Sequence, residues 1–272
     1  MNLTICMVAY SKKFTDTTSF NQLNNFDSSV KKQLNLIIFD NGIENFTDEK
    51  LPDDFASVSY QFNTDKNERG TRIAYQYALT NMHDSWLMLL DDDTLLTENY
   101  VKDLLTEMST AVVDAFCPQI FDEKIQISPT DSETIENLYF PKKPGIYTEN
   151  ITGISSGLVL SKKFMTEIDG FTKEFPLDYL DHWIFWQLRQ HKKRIKIIDE
   201  KIQHQLSVQH LTGLSKERFA KIFTAEYHYY QHYQPEQLYS IRKKYGKMMV
   251  KGWLKGNIFL AKTFLKILLG KK

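Results

Sequence analysis

The sequence predicts an α/β fold: a mostly parallel sheet flanked by helices, with a helical extension at the C-terminal end. Three observations point there. Short apolar runs rich in strand formers alternate with segments of helical period, and strands separated by helices pair in parallel and are covered on both faces. Three of these runs end in polar groups, Tyr10-Ser11, Asp40-Asn41 and Asp91-Asp92-Asp93, and open parallel sheets collect ligands at the carboxyl ends of their strands. From residue 215 onward the pattern is helical to the end.

Residues 3–10 (LTICMVAY), 34–39 (LNLIIF), 57–62 (SVSYQF) and 86–90 (WLMLL) read as the first four strands. Between the third and fourth lies RGTRIAYQYALTNM, helical in period, with Ile73, Ala74, Tyr77 and Ala78 on one side. Thr97 followed by Glu98 opens a helix over 97–109, and 111–120 supplies a further strand. Residues 121–150 are polar and carry Pro129, Pro141 and Pro144, the composition of a surface excursion. A strand at 154–161, helices near 162–168 and over 179–191, and a strand at 194–199 (RIKIID) complete the pattern.

Lys plus Arg equals Asp plus Glu at 34 each, so no overall field draws nucleic acid. Both cysteines, Cys6 and Cys117, sit in apolar runs, as buried thiols do in a reducing compartment. The first residues lack a basic region followed by a long apolar one, and no run reaches the roughly 18 apolar residues of a membrane span. A cytoplasmic protein is expected. AYSKKF follows the first strand instead of a glycine-rich turn, which excludes the dinucleotide fingerprint, and the phosphate loop of NTPases is missing too. Phosphates bound here need a metal.

WLMLLDDDT (86–94) sets three carboxylates against a buried strand, where unpartnered they repel and raise one another's pKa. Two carboxylates one residue apart can aim at one small volume, and their hard oxygens suit Mg²⁺ or Mn²⁺. The same residues also suit a solvated acidic turn, with Asp93 or Thr94 starting the next helix. An aspartyl phosphatase motif is a poor match, because its fifth position is Leu95 here and the cluster lies mid-chain.

Taken in order over residues 3–205, these motifs resemble the GT-A-fold, family 2 glycosyltransferases, most closely a bacterial rhamnosyltransferase-like branch. LTICMVAY resembles the opening strand, with Ala9 and Tyr10 at its donor end. LIIFDNG resembles the second strand with a base-binding aspartate, Asp40. NERGTRIAYQYAL resembles the family's Asn-x-Gly helix start, with Asn67 one residue further from Gly70 than usual, Gln76 where Asn is common, and Arg72 at the donor. LLDDDT resembles the Asp-x-Asp motif. The segment beginning SSGLVLS and ending FPLDYLDHW resembles the acceptor region.

The resemblance implies inverting transfer of a sugar, L-rhamnose among the candidates, from a dTDP- or UDP-linked donor to a hydroxyl. It gives Asp181 the role of base, Asp93 that of metal ligand, and Asp91 a share of the ion or of the ribose, with Asp92 between them at the donor. His204 is the implied third ligand to Mg²⁺ or Mn²⁺, with His210 as fallback. Ser156, Gly157, Asp178, His182 and Trp183 fall in the acceptor segment. Residues 1–214 would form the transferase domain, with a donor half of about 1–120 and an acceptor half of about 150–214; residues 215–272 would form the helical extension. Two positions depart from the pattern: Trp183 stands where an acid is usual, and Gln187 where arginine is common. By residue type alone, Asp178 sits where a helix cap would and Asp181 in the first turn, both of which favour acids for stability.

The loop LSVQHLTGLSKE (206–217) is polar enough to act as a lid that excludes water. In KGWLKGNIFLAKTFLKILLGKK, read as one helix, Lys251, Lys255, Lys262 and Lys266 gather within about a 60° arc. Trp253, Leu260, Phe264, Ile267 and Leu268 fall opposite. That pattern fits a helix lying on a membrane surface, where lipid-linked saccharide acceptors of bacterial polysaccharide synthesis reside at the inner face; a terminal helix packed on the protein's own core is the alternative. Two other functions use the same residues: a metal-dependent sugar-phosphate phosphohydrolase, in which Asp181 would matter little, and a non-catalytic carbohydrate- or nucleotide-binding module.

Overall fold

The structure, a computed structural model, describes residues 2–110, 112–203 and 214–270. Its residues group into two compact units, one of Met1–Asp131 with Tyr139–Gln205, the other of Ser132–Leu138 with Leu206–Lys272.

In the first unit, β1 (Leu3–Ala9), β2 (Leu34–Asp40), β3 (Ser57–Phe62) and β4 (Trp86–Asp91) lie in the order β3-β2-β1-β4, all parallel. Every residue of β1 is buried, as its apolar run demands of a central strand covered on both faces. Beyond β4 the sheet changes character. After β5 (Ala115–Asp122), β6 (Ile125–Ser128) and β7 (Gly145–Tyr147), the chain returns as β8 (Val159–Ser161), wedged between β4 and β5 and antiparallel to both. β9 (Ile195–Gln203) then pairs parallel with β5, and β7 pairs antiparallel with β9. The sheet is therefore parallel over β3-β2-β1-β4 and in the β5–β9 pair, as the sequence suggested, with β6, β7 and β8 added antiparallel. Residues 121–150 return to the sheet directly, without the crossover helix that a parallel strand requires.

Helices α1 (Thr18–Asn24), α2 (Ser28–Lys31), α3 (Thr71–Asn81), α4 (Glu98–Met108), α5 (Lys162–Glu167) and α6 (Leu180–Gln190) belong to this unit. Thr97 caps α4, its side chain accepting from Tyr100 N–H, as its position before Glu98 foretold. On α3 the buried residues are Arg72, Ala74, Tyr75, Ala78 and Leu79, so Tyr75 faces the core where the sequence placed Ile73 and Tyr77.

The second unit holds α7 (Lys216–His232), α8 (Leu238–Leu254) and α9 (Ile258–Leu268). Phe264 of α9 meets Phe223 of α7 at 5.0 Å and Tyr245 of α8 at 4.8 Å between ring centroids. The Tyr245 hydroxyl donates to Phe223 C=O (2.8 Å) and Glu226 Oε2 (2.7 Å), and Lys244 pairs with the same carboxylate at 2.9 Å. Burial and that carboxylate together push the tyrosine's pKa far up. Gln237 Nε2 donates to Glu133 C=O (3.2 Å), tying residues 132–138 to this unit.

The single tail helix expected from the sequence is two helices. Gly256 at φ +66° breaks the chain between α8 and α9, and Gly252 lets them meet, since a Cβ there would lie 2.9 Å from Ala261 N. Phe264 and Ile267, assigned to an outer apolar face, are instead buried in this core.

Candidate active site

The strand register brings the first acidic groups together. Asp40 pairs with Ala9 and Asp91 with Val8, so the two carboxylates flank the carboxyl end of β1. Ala9 is fully buried there, whereas Tyr10 turns outward and is exposed. Asp40 is buried, with Gly42 N–H donating to Oδ1 (2.6 Å) and the Tyr60 hydroxyl to Oδ2 (2.7 Å). Its orientation is thus fixed before any ligand arrives. Burial and that hydrogen bond push the Tyr60 hydroxyl pKa well up, so it remains a donor.

The acidic trio divides. Asp91, at the end of β4, is half-buried and accepts from the Tyr75 hydroxyl of α3 at 3.3 Å. Asp92 turns back toward β1, accepting from Tyr10 N–H (3.3 Å) and pairing with Lys12 at 3.5 Å. Burial raises its pKa, Lys12 opposes that shift, and Asp93 adds to it. Asp93 is exposed on the turn. Part of the positive charge that the trio requires therefore comes from the chain's own Lys12. The turn is pinned from beneath: Ser156, completely buried, accepts from Asp91 N–H (3.3 Å) and shares a hydrogen bond with Thr94 Oγ1. Ser156 thus fixes the end of β4. Gly157, at φ +80°, accepts a hydrogen bond at its carbonyl from the Tyr100 hydroxyl (2.7 Å).

Helix α3 joins these strand ends to the loop that leads into α6. Asn41 Nδ2 donates to Gly70 C=O (2.9 Å), and Arg72 N–H to Pro176 C=O (3.1 Å). The Arg72 side chain pairs with Glu68 and donates to Phe171 C=O, so its guanidinium braces the loop before α6. Gln76, in the family's Asn position, accepts from Phe171 N–H (2.9 Å). Asn67 is exposed, its N–H bonded to Asp65.

That loop delivers α6 through Tyr179, which holds a left-handed φ of +66° and is the N-cap, without a side-chain cap bond. Asp178 therefore lies one residue ahead of the cap, which corrects its reading as the capping group. Asp181 stands half-buried in the first turn, accepting from His182 N–H at 2.8 Å. Burial pushes its carboxyl pKa upward; His182 acts in the other direction and Asp178 reinforces the rise. The His182 ring stacks on Tyr179 at 4.5 Å, with Nδ1 3.4 Å from Thr152 Oγ1. Trp183 is buried to 4% exposure, so the residue two positions after Asp181 packs inward.

A family model described as glycosyl transferase family 2 matches residues 5–168, a span containing Asp40, Gly70 and the acidic turn. The chain belongs to glycosyl transferase family 2. Its GT-A fold is shared with distant solved structures. S. aureus TarS 1–349 in complex with UDP-GlcNAc has a TM-score of 0.59 at 11% identity, over 98% of this chain and 82% of that one. S. aureus TarS has a TM-score of 0.57 at 12% identity, over 86% of this chain and 40% of that one, so the present chain spans well under half of it. GalNAc-T7 with UDP, GalNAc and Mn²⁺ has a TM-score of 0.56 at 12% identity, over 85% and 50%. No curated protein matches the chain.

Asp91 ends β4 and Asp93 stands exposed on the turn that follows. Their hard oxygens have the right chemistry for Mg²⁺ or Mn²⁺, and Lys12 draws the intervening Asp92 out of the pair. Among the described residues no three His, Cys, Asp or Glu side chains converge on one point; the expected third ligand His204, the fallback His210 and most of the expected lid lie outside the described residues. Sequence reasoning missed Lys12, Tyr60 and Tyr75, and gave Asn41 no role of its own. Only Asn41 carried a local signal, as the residue after Asp40 at a strand end.

Proposed function

We propose that this family 2 chain is an inverting glycosyltransferase that moves a sugar from a nucleotide diphosphate donor to a hydroxyl of a saccharide or lipid-linked saccharide. The observation that carries the reading is Asp181: a half-buried carboxylate with raised pKa, on a helix whose entry loop is bonded to α3, which itself holds Asp91. The acceptor hydroxyl gives its proton to Asp181 as its oxygen bonds to the anomeric carbon. The bond from that carbon to the diphosphate oxygen breaks on the opposite face, and the nucleoside diphosphate leaves with the electron pair. Raising the carboxyl's proton affinity strengthens it as a base at neutral pH. Asp40, prealigned by Gly42 and Tyr60, is suited to accept from a donor base N–H. A Mg²⁺ or Mn²⁺ held by Asp91 and Asp93, with His204 as the expected third ligand, would supply positive charge to the departing diphosphate.

The solved neighbours bound to UDP, to UDP-GlcNAc, and to UDP with GalNAc and Mn²⁺ support a nucleotide-sugar donor and a divalent ion. We take the donor to be a dTDP- or UDP-linked sugar, with L-rhamnose as the first candidate, and the setting to be bacterial surface polysaccharide synthesis at the inner face of the plasma membrane. A thermal-shift screen of nucleotide sugars with and without Mn²⁺ tests the reading. Stabilisation by one donor only when metal is present supports it; a donor that releases phosphate without any acceptor, undiminished in Asp181→Asn, refutes it.

A further inference from the structure

The hairpin of α8 and α9 carries an outward surface different from the one a single helix would have shown. On α9, Ala261, Phe264 and Ile267 turn inward against α7 and α8. At 100° per residue, what remains outside is an arc of roughly 100° holding Ile258, Leu265 and Leu269 together with Lys262 and Lys266. All five are exposed, Ile258 to 65%. Beside Ile258, across the turn, Trp253 and Leu254 at the end of α8 are 71% and 84% exposed, flanked by Lys251 and Lys255. On α9, large apolar side chains and lysines therefore share one face, whereas the sequence pattern set them on opposite faces.

Charge decides what could cover such a face. After Glu236 the sequence contains no acidic side chain and ten cationic ones, in a chain whose totals balance. A second copy would set Lys262 and Lys266 and the lysines near them against their own counterparts, which opposes self-association through this face. An anionic lipid surface accepts both features: the apolar side chains enter the acyl boundary while the lysines run their stems alongside and keep their ammonium groups among the headgroups. No helix among the described residues is long and apolar enough to cross a membrane.

We propose that the lysine-framed ridge of Trp253, Leu254, Ile258, Leu265 and Leu269 is the surface that docks on an anionic bilayer. This rests on the membrane setting of the proposed function and replaces the face drawn from the sequence alone. The test is co-sedimentation of the full chain with phosphatidylcholine vesicles, with and without 30 mol % phosphatidylglycerol (about a third anionic lipid, in the range where polybasic surfaces bind). The wild-type chain sediments only with the anionic vesicles, and its tryptophan emission shifts to the blue. Trp253→Ser/Leu254→Ser and Ile258→Ser, fully folded by circular dichroism because these side chains are exposed, lower the partition coefficient tenfold or more. Trp253→Ser alone removes the emission shift. If the wild-type chain binds neither vesicle, the membrane setting and the ridge both fall. If it binds and the ridge variants bind equally, the ridge falls and the membrane setting stands. If sedimentation equilibrium shows a dimer that the ridge variants dissociate, the face belongs to a second copy and the proposal is wrong.

Discussion

Gly70 offers a direct test of how the acceptor segment is held against the donor half. Its backbone, at φ −103° and ψ 175°, suits any residue, so space alone demands glycine. A Cβ built there would lie 1.8 Å from Pro176 O and 2.5 Å from Pro176 C. A carbon–oxygen contact settles near 3.3 Å, so Gly70→Ala must drive the Pro176 carbonyl back by about 1.5 Å. That retreat disrupts the Arg72 N–H bond to the same carbonyl and moves the loop that delivers Asp178 and Asp181. Overpacking of this kind costs about 1–3 kcal/mol, and each kcal/mol lowers Tm by about 2–4 °C in a domain of this size. A shift of about 1 Å in a reacting group costs on the order of 100-fold in rate. The assay pairs thermal melts with kcat for transfer from the donor found in the thermal-shift screen. Gly246→Ala on α8, where a Cβ meets nothing within 4 Å, is the control and should melt at or above the wild-type temperature. A Gly70→Ala enzyme with wild-type Tm and kcat would show that the loop does not rest on α3, and the coupling argued above would fail.

Asp181→Asn should lower transfer by about 10²–10⁴-fold while leaving donor affinity intact. A carboxyl whose folded pKa is raised stabilises the fold fully below its unfolded pKa and loses that contribution as pH rises through the folded value. At neutral pH Asn therefore escapes the burial cost, and the variant should melt no lower than wild type; a marked fall in Tm would contradict the raised pKa. For the same reason, log(kcat/KM) should climb with pH through a value above that of an ordinary aspartate, and the climb should vanish in the variant. Chelation should abolish turnover reversibly, with Mn²⁺ or Mg²⁺ restoring it, and Asp93→Asn should make nucleotide affinity insensitive to metal by calorimetry; metal-dependent affinity undiminished in that variant would remove the exposed turn from the ion's site. Tyr245→Phe removes the buried hydroxyl that donates to Glu226 Oε2 and Phe223 C=O, leaving Lys244 as the carboxylate's partner, and should destabilise the helical unit by about 1–3 kcal/mol, measured by urea denaturation.

Much of the donor half could be read in advance because its signals are local. An apolar run such as LTICMVAY declares a central strand by itself, and Thr97 before Glu98 or Ser215 before Lys216 declares a helix start by side-chain chemistry within three residues. The placement of Asp40, Asp91 and Asp181 at strand and helix ends followed from the same short-range reading. What lay beyond reach had distant causes. Lys12 and Asp92 are far apart in sequence and meet only because β1 and β4 are neighbours. Tyr60 reaches Asp40 because β2 and β3 pair in register. Short β6 and β7 were hidden in polar sequence, since their pairing partners, and not their own periodicity, make them strands.

The tail shows the same division most sharply. Its sequence by itself determined that residues after Glu236 are uniformly cationic, helical in period and rich in leucine and aromatic side chains. Only the tertiary structure decided which of those apolar groups are inside. A helical wheel carries one phase along the whole segment, but Gly256 resets that phase, and the rings of Phe223 and Tyr245 claim Phe264 for the core. Composition belongs to the chain, whereas the direction a side chain faces belongs to whatever packs against it.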